Sequence, residues 1–154
     1  MEARLVVRAA AIATVAALSG CGGSSSSGQT AKFKTDFSPV LNEFKQTSNA
    51  IGTEIGQASS QTDAQVASAF RSLAHSWQAE VSKLEKLKPP SNVATDFNTM
   101  SAAAKRAKND LTGIVSAADS HSSSAAAKAA TNLVNDVASA KSASTTISNK
   151  LGIK

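Results

Sequence analysis

Apolar side chains recur at alternating steps of three and four along four separate segments of this chain. That period constrains the fold more than any other feature, because it lays each set along one side of an α-helix, whereas strands need a period of two. The first stripe carries Phe37, Leu41, Phe44, Ser48, Ile51 and Ile55. The second carries Val66, Phe70, Leu73, Trp77, Val81, Leu84 and Leu87. The third carries Val93, Phe97, Met100, Ala104, Ala107, Leu111, Ile114 and Ala118. The fourth is weaker in apolar bulk: Ala126, Ala130, Leu133, Val137, Ala140, Ser144, Ile147 and Leu151.

Helix punctuation falls between these stripes. Pro39 is tolerated in a first turn, which sets the start of the first helix near Asp36. Thr62 and Gln65 have the spacing of a capping box for the second helix. Pro89-Pro90 ends that helix, and Ser91 or Asn92 is placed to cap the third. Ser120 to Ser124 break the chain, with a serine there to cap the fourth helix, and Gly152 is a C-terminal stop. Short connections make successive helices antiparallel, so the expected fold is an all-α, up-down-up-down four-helix bundle. The competing arrangement is a three-helix bundle with the Ala- and Ser-rich fourth segment loosely attached. It would leave Leu133, Val137, Ile147 and Leu151 without a groove.

Trp77 is the only tryptophan of the chain. Counted along their stripes, Ser48, Ala104 and Ala140 come to nearly its height, and one large ring facing three small side chains fills a bundle layer. On that reading the indole N–H needs an acceptor, and Ser48 is the nearest. The alternative is a cavity with Trp77 as its wall, lined by Ser48, Ala104 and Ala140.

The front of the chain is different. Arg4 and Arg8 precede or begin an apolar run from Ala9 to Leu18, followed by small residues and the only cysteine, Cys21. Ten apolar residues rise about 15 Å as a helix, roughly half a bilayer core, so the run suits a signal peptide better than a span. Leu18-Ser19-Gly20-Cys21 resembles the lipobox of bacterial lipoprotein precursors at every position. The resemblance implies cleavage before Cys21, a diacylglycerol on its thiol and an amino terminus that can itself be acylated. It also implies an extracytoplasmic, membrane-anchored product; with Gly rather than Asp at position 22, that means the outer membrane where the cell has one. Two acyl chains suffice for stable anchoring. Gly22 to Gly28 read as a flexible spacer. The resulting division is a signal peptide over 1–20, lipidated cysteine and linker over 21–30, and a helical domain over 31–154. More loosely, Leu87-Lys88-Pro89-Pro90 and the helix after it resemble small lipoproteins of high-GC Gram-positive bacteria over residues 66–111, with no activity implied.

Catalytic and metal chemistry find little to work with. His75 falls off the inward stripe, His121 lies in a serine-rich loop, and neither has a Glu at the spacing that bundle metal sites use. The serines lack a His–carboxylate arrangement. Glu80, beside Val81, reads as a rim carboxylate bridged to a lysine one turn on rather than a general acid. The expectation is therefore a non-enzyme without metal or cofactor. The chain has 16 basic and 11 acidic residues, and the leader holds Arg4, Arg8 and Glu2, which leaves a net +4. That is too little to suggest nucleic acid, and Lys105, Arg106 and Lys108 read as a solvated helix face beside Asp110. The antiparallel topology gathers Lys32, Lys34, Lys83, Lys86, Lys88, Lys150 and Lys154 at the tethered end, opposite Asp36, Glu85 and Asp96. This basic end is the expected membrane-facing surface. The expected role is a protein-interaction or structural module of the cell envelope; the alternative is a bundle that binds a small apolar ligand or lipid.

Overall fold

Four helices packed against one another make up nearly all of the computed structural model, which describes residues 25–153. They are α1 (Ser25–Gln57), α2 (Asp63–Leu84), α3 (Ala94–Asp119) and α4 (Ser123–Leu151), with 3-10 turns at Ala58–Ser60 and Ser91–Val93. There is no strand among the described residues, and none of their helices is long and apolar enough to cross a membrane. The expected signal peptide over 1–20 and the expected lipidation site, Cys21, lie outside the described residues, as does Lys154.

The stripes are the core. All eight positions of the third are buried, and so are Leu133, Ala140, Ser144, Ile147 and Leu151 of the weaker fourth. A loosely attached fourth segment is thereby excluded. Each helix packs on its neighbour in sequence, and α4 also meets α1. The α3–α4 interface is the most extensive of these and α1–α4 the sparsest. Small residues explain the first: a Cβ placed on Gly113 would stand 3.4 Å from that of Ala129, so the two backbones approach closely.

The start of α1 departs from expectation. It begins at Ser25 rather than near Asp36, takes in the second half of the expected spacer, and runs through Pro39. Proline there removes the N–H that would bond Thr35, at a cost of about 3 kcal/mol in a helix interior. The compensation is aromatic. Phe33 stacks on Phe37 with centroids 5.2 Å apart, and both meet the edge or face of Phe97, at 5.6 and 6.4 Å. All three rings are at most 5% exposed. Each such pair contributes about 0.5–1.5 kcal/mol beyond its buried area. The Ser38 hydroxyl also donates to the Lys34 carbonyl at 2.8 Å, just ahead of the proline.

Helix ends follow the sequence in part. Thr62 and Gln65 form the capping box of α2. Ser91 and Asn92 do not cap α3; they form a 3-10 turn, and Val93 takes the capping position without a side-chain hydrogen bond. Ser122 stands at the head of α4, also without one. At the other end of α4, Gly152 has φ +64°, which a side chain would resist. Its left-handed turn lets the Ile153 N–H reach the Ser148 carbonyl at 2.9 Å and lays Ile153 on the core. The end of α3 uses the same motif with His121 at φ +53°, the Ser122 N–H donating to the Ala117 carbonyl at 2.8 Å.

Candidate functional site

Trp77 is fully buried between α2 and α3. Its indole N–H donates to the Ala104 carbonyl oxygen at 2.8 Å, not to Ser48. On its other side Trp77 meets Phe44 edge to face, with centroids 4.6 Å apart. The ring therefore leans toward α3, and the half of the layer between α1 and α4 is left unfilled.

That half is a cleft of about 240 Å³ along the sparse α1–α4 seam. Ser48 and Ala140 line it, whereas Trp77 and Ala104 do not. Leu41, Phe44 and Met100 form its apolar floor, all nearly or fully buried. Lys45, Asn49, Lys141 and Thr145 stand exposed around its mouth. Ser144 also lines it, its hydroxyl bonded to the Lys141 carbonyl at 2.8 Å. The indole is packed, and the cleft is not the expected cavity walled by Trp77, since Phe44 lines it and lies against the ring.

The basic end is less basic than its composition. Lys32 pairs with Asp36 at 2.8 Å and Lys150 with Asp96 at 2.7 Å. Lys83 pairs with Glu43 at 2.7 Å, eighteen residues along α1 from Ser25, or about 27 Å. Lys83 thus belongs to the middle of the bundle; α2 stops at Leu84 and an irregular segment covers the remaining descent to Pro90. Glu85, assigned to the same end, instead bridges to Lys105 at 2.9 Å. Lys34, Lys86 and Lys88 make no ion pair among the described residues. Lys34 lies beside Pro90, Ser91 and Asn92 near the start of α1.

Glu80 is 5% exposed and departs from its expected bridge. It accepts a hydrogen bond from the Thr47 hydroxyl across α1–α2, and its Oε2 is buried without a partner among the described residues. Burial pushes its carboxyl above the usual carboxylate range; the Thr47 bond opposes this, Glu43 adds to it and Lys83 opposes it. Of the expected solvated face, Arg106 is bridged to Asp136 of α4 at 2.8 Å and Lys105 to Glu85. Asp110 lies beside that bridge, its carboxyl pushed up by burial and then by Asp136. His121, expected at the surface in the serine-rich loop, has Nδ1 2.6 Å from Asp63 Oδ2 at the start of α2. His75 is exposed.

Phe33 and Lys45 are the residues that the sequence reading missed. Phe33 is one helical step before Phe37 on the same stripe, so its signal was present. Lys45 gains meaning only from the cleft it borders. No family model matches the chain, and neither a curated protein nor a solved structure resembles it significantly.

Proposed function

We propose that this chain is a lipid-anchored, extracytoplasmic module of the cell envelope that works by binding rather than catalysis. The observation that carries the anchoring half is the sequence Leu18-Ser19-Gly20-Cys21 at the end of an apolar run, shortly ahead of the helical domain. In this reading the helices run up-down-up-down. Two observations support it: Lys34 of α1 lies beside Pro90–Asn92, and Lys150 near the end of α4 pairs with Asp96 in the first turn of α3. The far corner is held in the same sense by Arg71 of α2 and Asp119 of α3, 3.0 Å apart.

Cys21→Ser is the test of the anchor. In membrane fractions of the producing cell the variant should accumulate as precursor or leave for the medium. Normal maturation with membrane retention would overturn the lipoprotein reading. Lys34, Lys86 and Lys88, without an ion pair among the described residues, supply about 1 kcal/mol each on anionic lipid, so their contribution is accessory to the anchor.

For the binding half, two occupants compete. A protein partner would dock on polar helix faces, because Val134 is the one exposed large apolar side chain among the described residues. A small ligand has a specific observation in its favour, the apolar-floored cleft between α1 and α4. A pull-down from solubilised membranes separates the two: a stoichiometric protein supports the first, a co-purifying small molecule the second.

A further inference from the structure

We propose that the α1–α4 cleft binds a small amphipathic anion, an aliphatic monocarboxylate of about eight carbons. Its chain would lie on Leu41, Phe44, Met100 and Ala140, and its carboxylate between Lys45 and Lys141. This assignment rests on the small-ligand reading above and narrows it to a chemical class.

Size comes first. A buried apolar cavity of about 150 Å³ takes one benzene, so the 240 Å³ here takes a single alkyl chain of roughly eight carbons. A two-chain phospholipid is far too large. Polarity is divided as such a ligand requires, with the apolar side chains at the floor and the polar ones at the mouth. Charge decides the head group. Lys32, Arg71, Lys83, Lys105, Arg106 and Lys150 are each bridged to a carboxylate, whereas Lys34, Lys86, Lys88, Lys108 and Lys128 have no such bridge among the described residues, so what sets the next two lysines apart is where they stand. Lys45 and Lys141 come from different helices, border the same cleft, and have no acidic partner among the described residues. No Asp or Glu lines the cleft. Its mouth therefore attracts an anion and repels a cation. Ser48 and Asn49, whose side chains make no hydrogen bond among the described residues, add two donors at the same level.

Trp77 provides the readout. It is the only tryptophan and packs edge-on against Phe44, so an occupant displacing or pressing that ring alters the indole environment. The experiment titrates the full chain carrying Cys21→Ser with octanoate, octanol and octyltrimethylammonium, following Trp77 fluorescence. Octanoate should saturate at least tenfold more tightly than octanol, and the cation should bind most weakly. Lys45→Gln with Lys141→Gln, both exposed positions, should remove the advantage of octanoate and leave octanol unchanged. Ser48→Leu should fill the cleft and abolish both, with thermal unfolding showing the fold intact. Equal binding of all three probes, or tightest binding of octanol or the cation, overturns the anionic head group and leaves a ligand cleft standing. No saturable response to any probe overturns the cleft as a small-ligand site, while the protein-partner reading survives.

Discussion

The indole N–H of Trp77 and the main-chain carbonyl of Ala104 are 2.8 Å apart, a side-chain bond made to the backbone of the neighbouring helix. It joins α2 to α3 at a point where neither residue has water access. Trp77→Phe should therefore cost about 1–3 kcal/mol, the loss of a buried donor together with a small cavity. Trp77→Ala should cost about 3–5 kcal/mol. Ala104→Leu would drive a side chain into the space beside the ring and should cost about 1–3 kcal/mol or more. Urea unfolding followed by circular dichroism measures all three.

Pro39→Ala distinguishes a helix that passes through residue 39 from one that begins just before it. With α1 continuous from Ser25, the substitution restores the hydrogen bond to Thr35 and should stabilise by up to about 3 kcal/mol. In a helix starting near Asp36 the same change would fall in the first turn and alter little. Thermal unfolding gives the answer directly.

Glu80→Gln should stabilise the domain at neutral pH. The carboxyl of Glu80 is raised on folding, chiefly by burial, so the folded state binds the proton more tightly than the unfolded chain. Its favourable contribution is then fully present below the ordinary value of 4.5 and is lost as pH rises through the raised one. The amide keeps an acceptor for the Thr47 hydroxyl and carries no charge. Melting temperatures of wild type and variant should converge near pH 4 and separate as pH rises through the raised value. A constant difference would show that Glu80 is not the titrating group.

Two surface changes gauge the helix ends and interiors. Thr62→Ala removes the hydroxyl that accepts from the Gln65 N–H, while the residue-62 N–H can still donate to the Gln65 side chain, and should cost about 0.5–2 kcal/mol. Gly52→Ala adds a methyl with nothing within 4 Å of it, in the interior of α1, and should stabilise by about 0.5–1 kcal/mol. Chemical denaturation of the two variants, compared with the parent, checks both signs.

The four stripes were legible in the sequence because burial along a helix follows period, and period needs no knowledge of the neighbours. Leu111 and Leu133 are both fully buried where their stripes put them. The early start of α1 was not legible, since Gly/Ser composition and Pro39 argue locally against helix while Phe97, sixty-four residues after Phe33, argues for it through space. The partner of Lys83 depended on the height at which α2 ends, which sets Glu43 rather than Glu80 opposite it. For the site, sequence counting brought Ser48, Ala104, Ala140 and Trp77 to one level. It did not show which way the indole leans. That lean turns one layer into a packed half and an open half.

The unbroken α1 also acts as a ruler. Ser48 lies twenty-three residues along it from Ser25, about 35 Å at the helical rise. The α1–α4 cleft is therefore held at a set distance from the head of α1 rather than swinging on a loose string. Inserting or deleting one residue between Ser25 and Phe33 would turn the cleft by about 100° relative to Ser25 while hardly changing that distance. A whole helical turn would change the distance and keep the heading, so reach and direction can be varied separately in this chain.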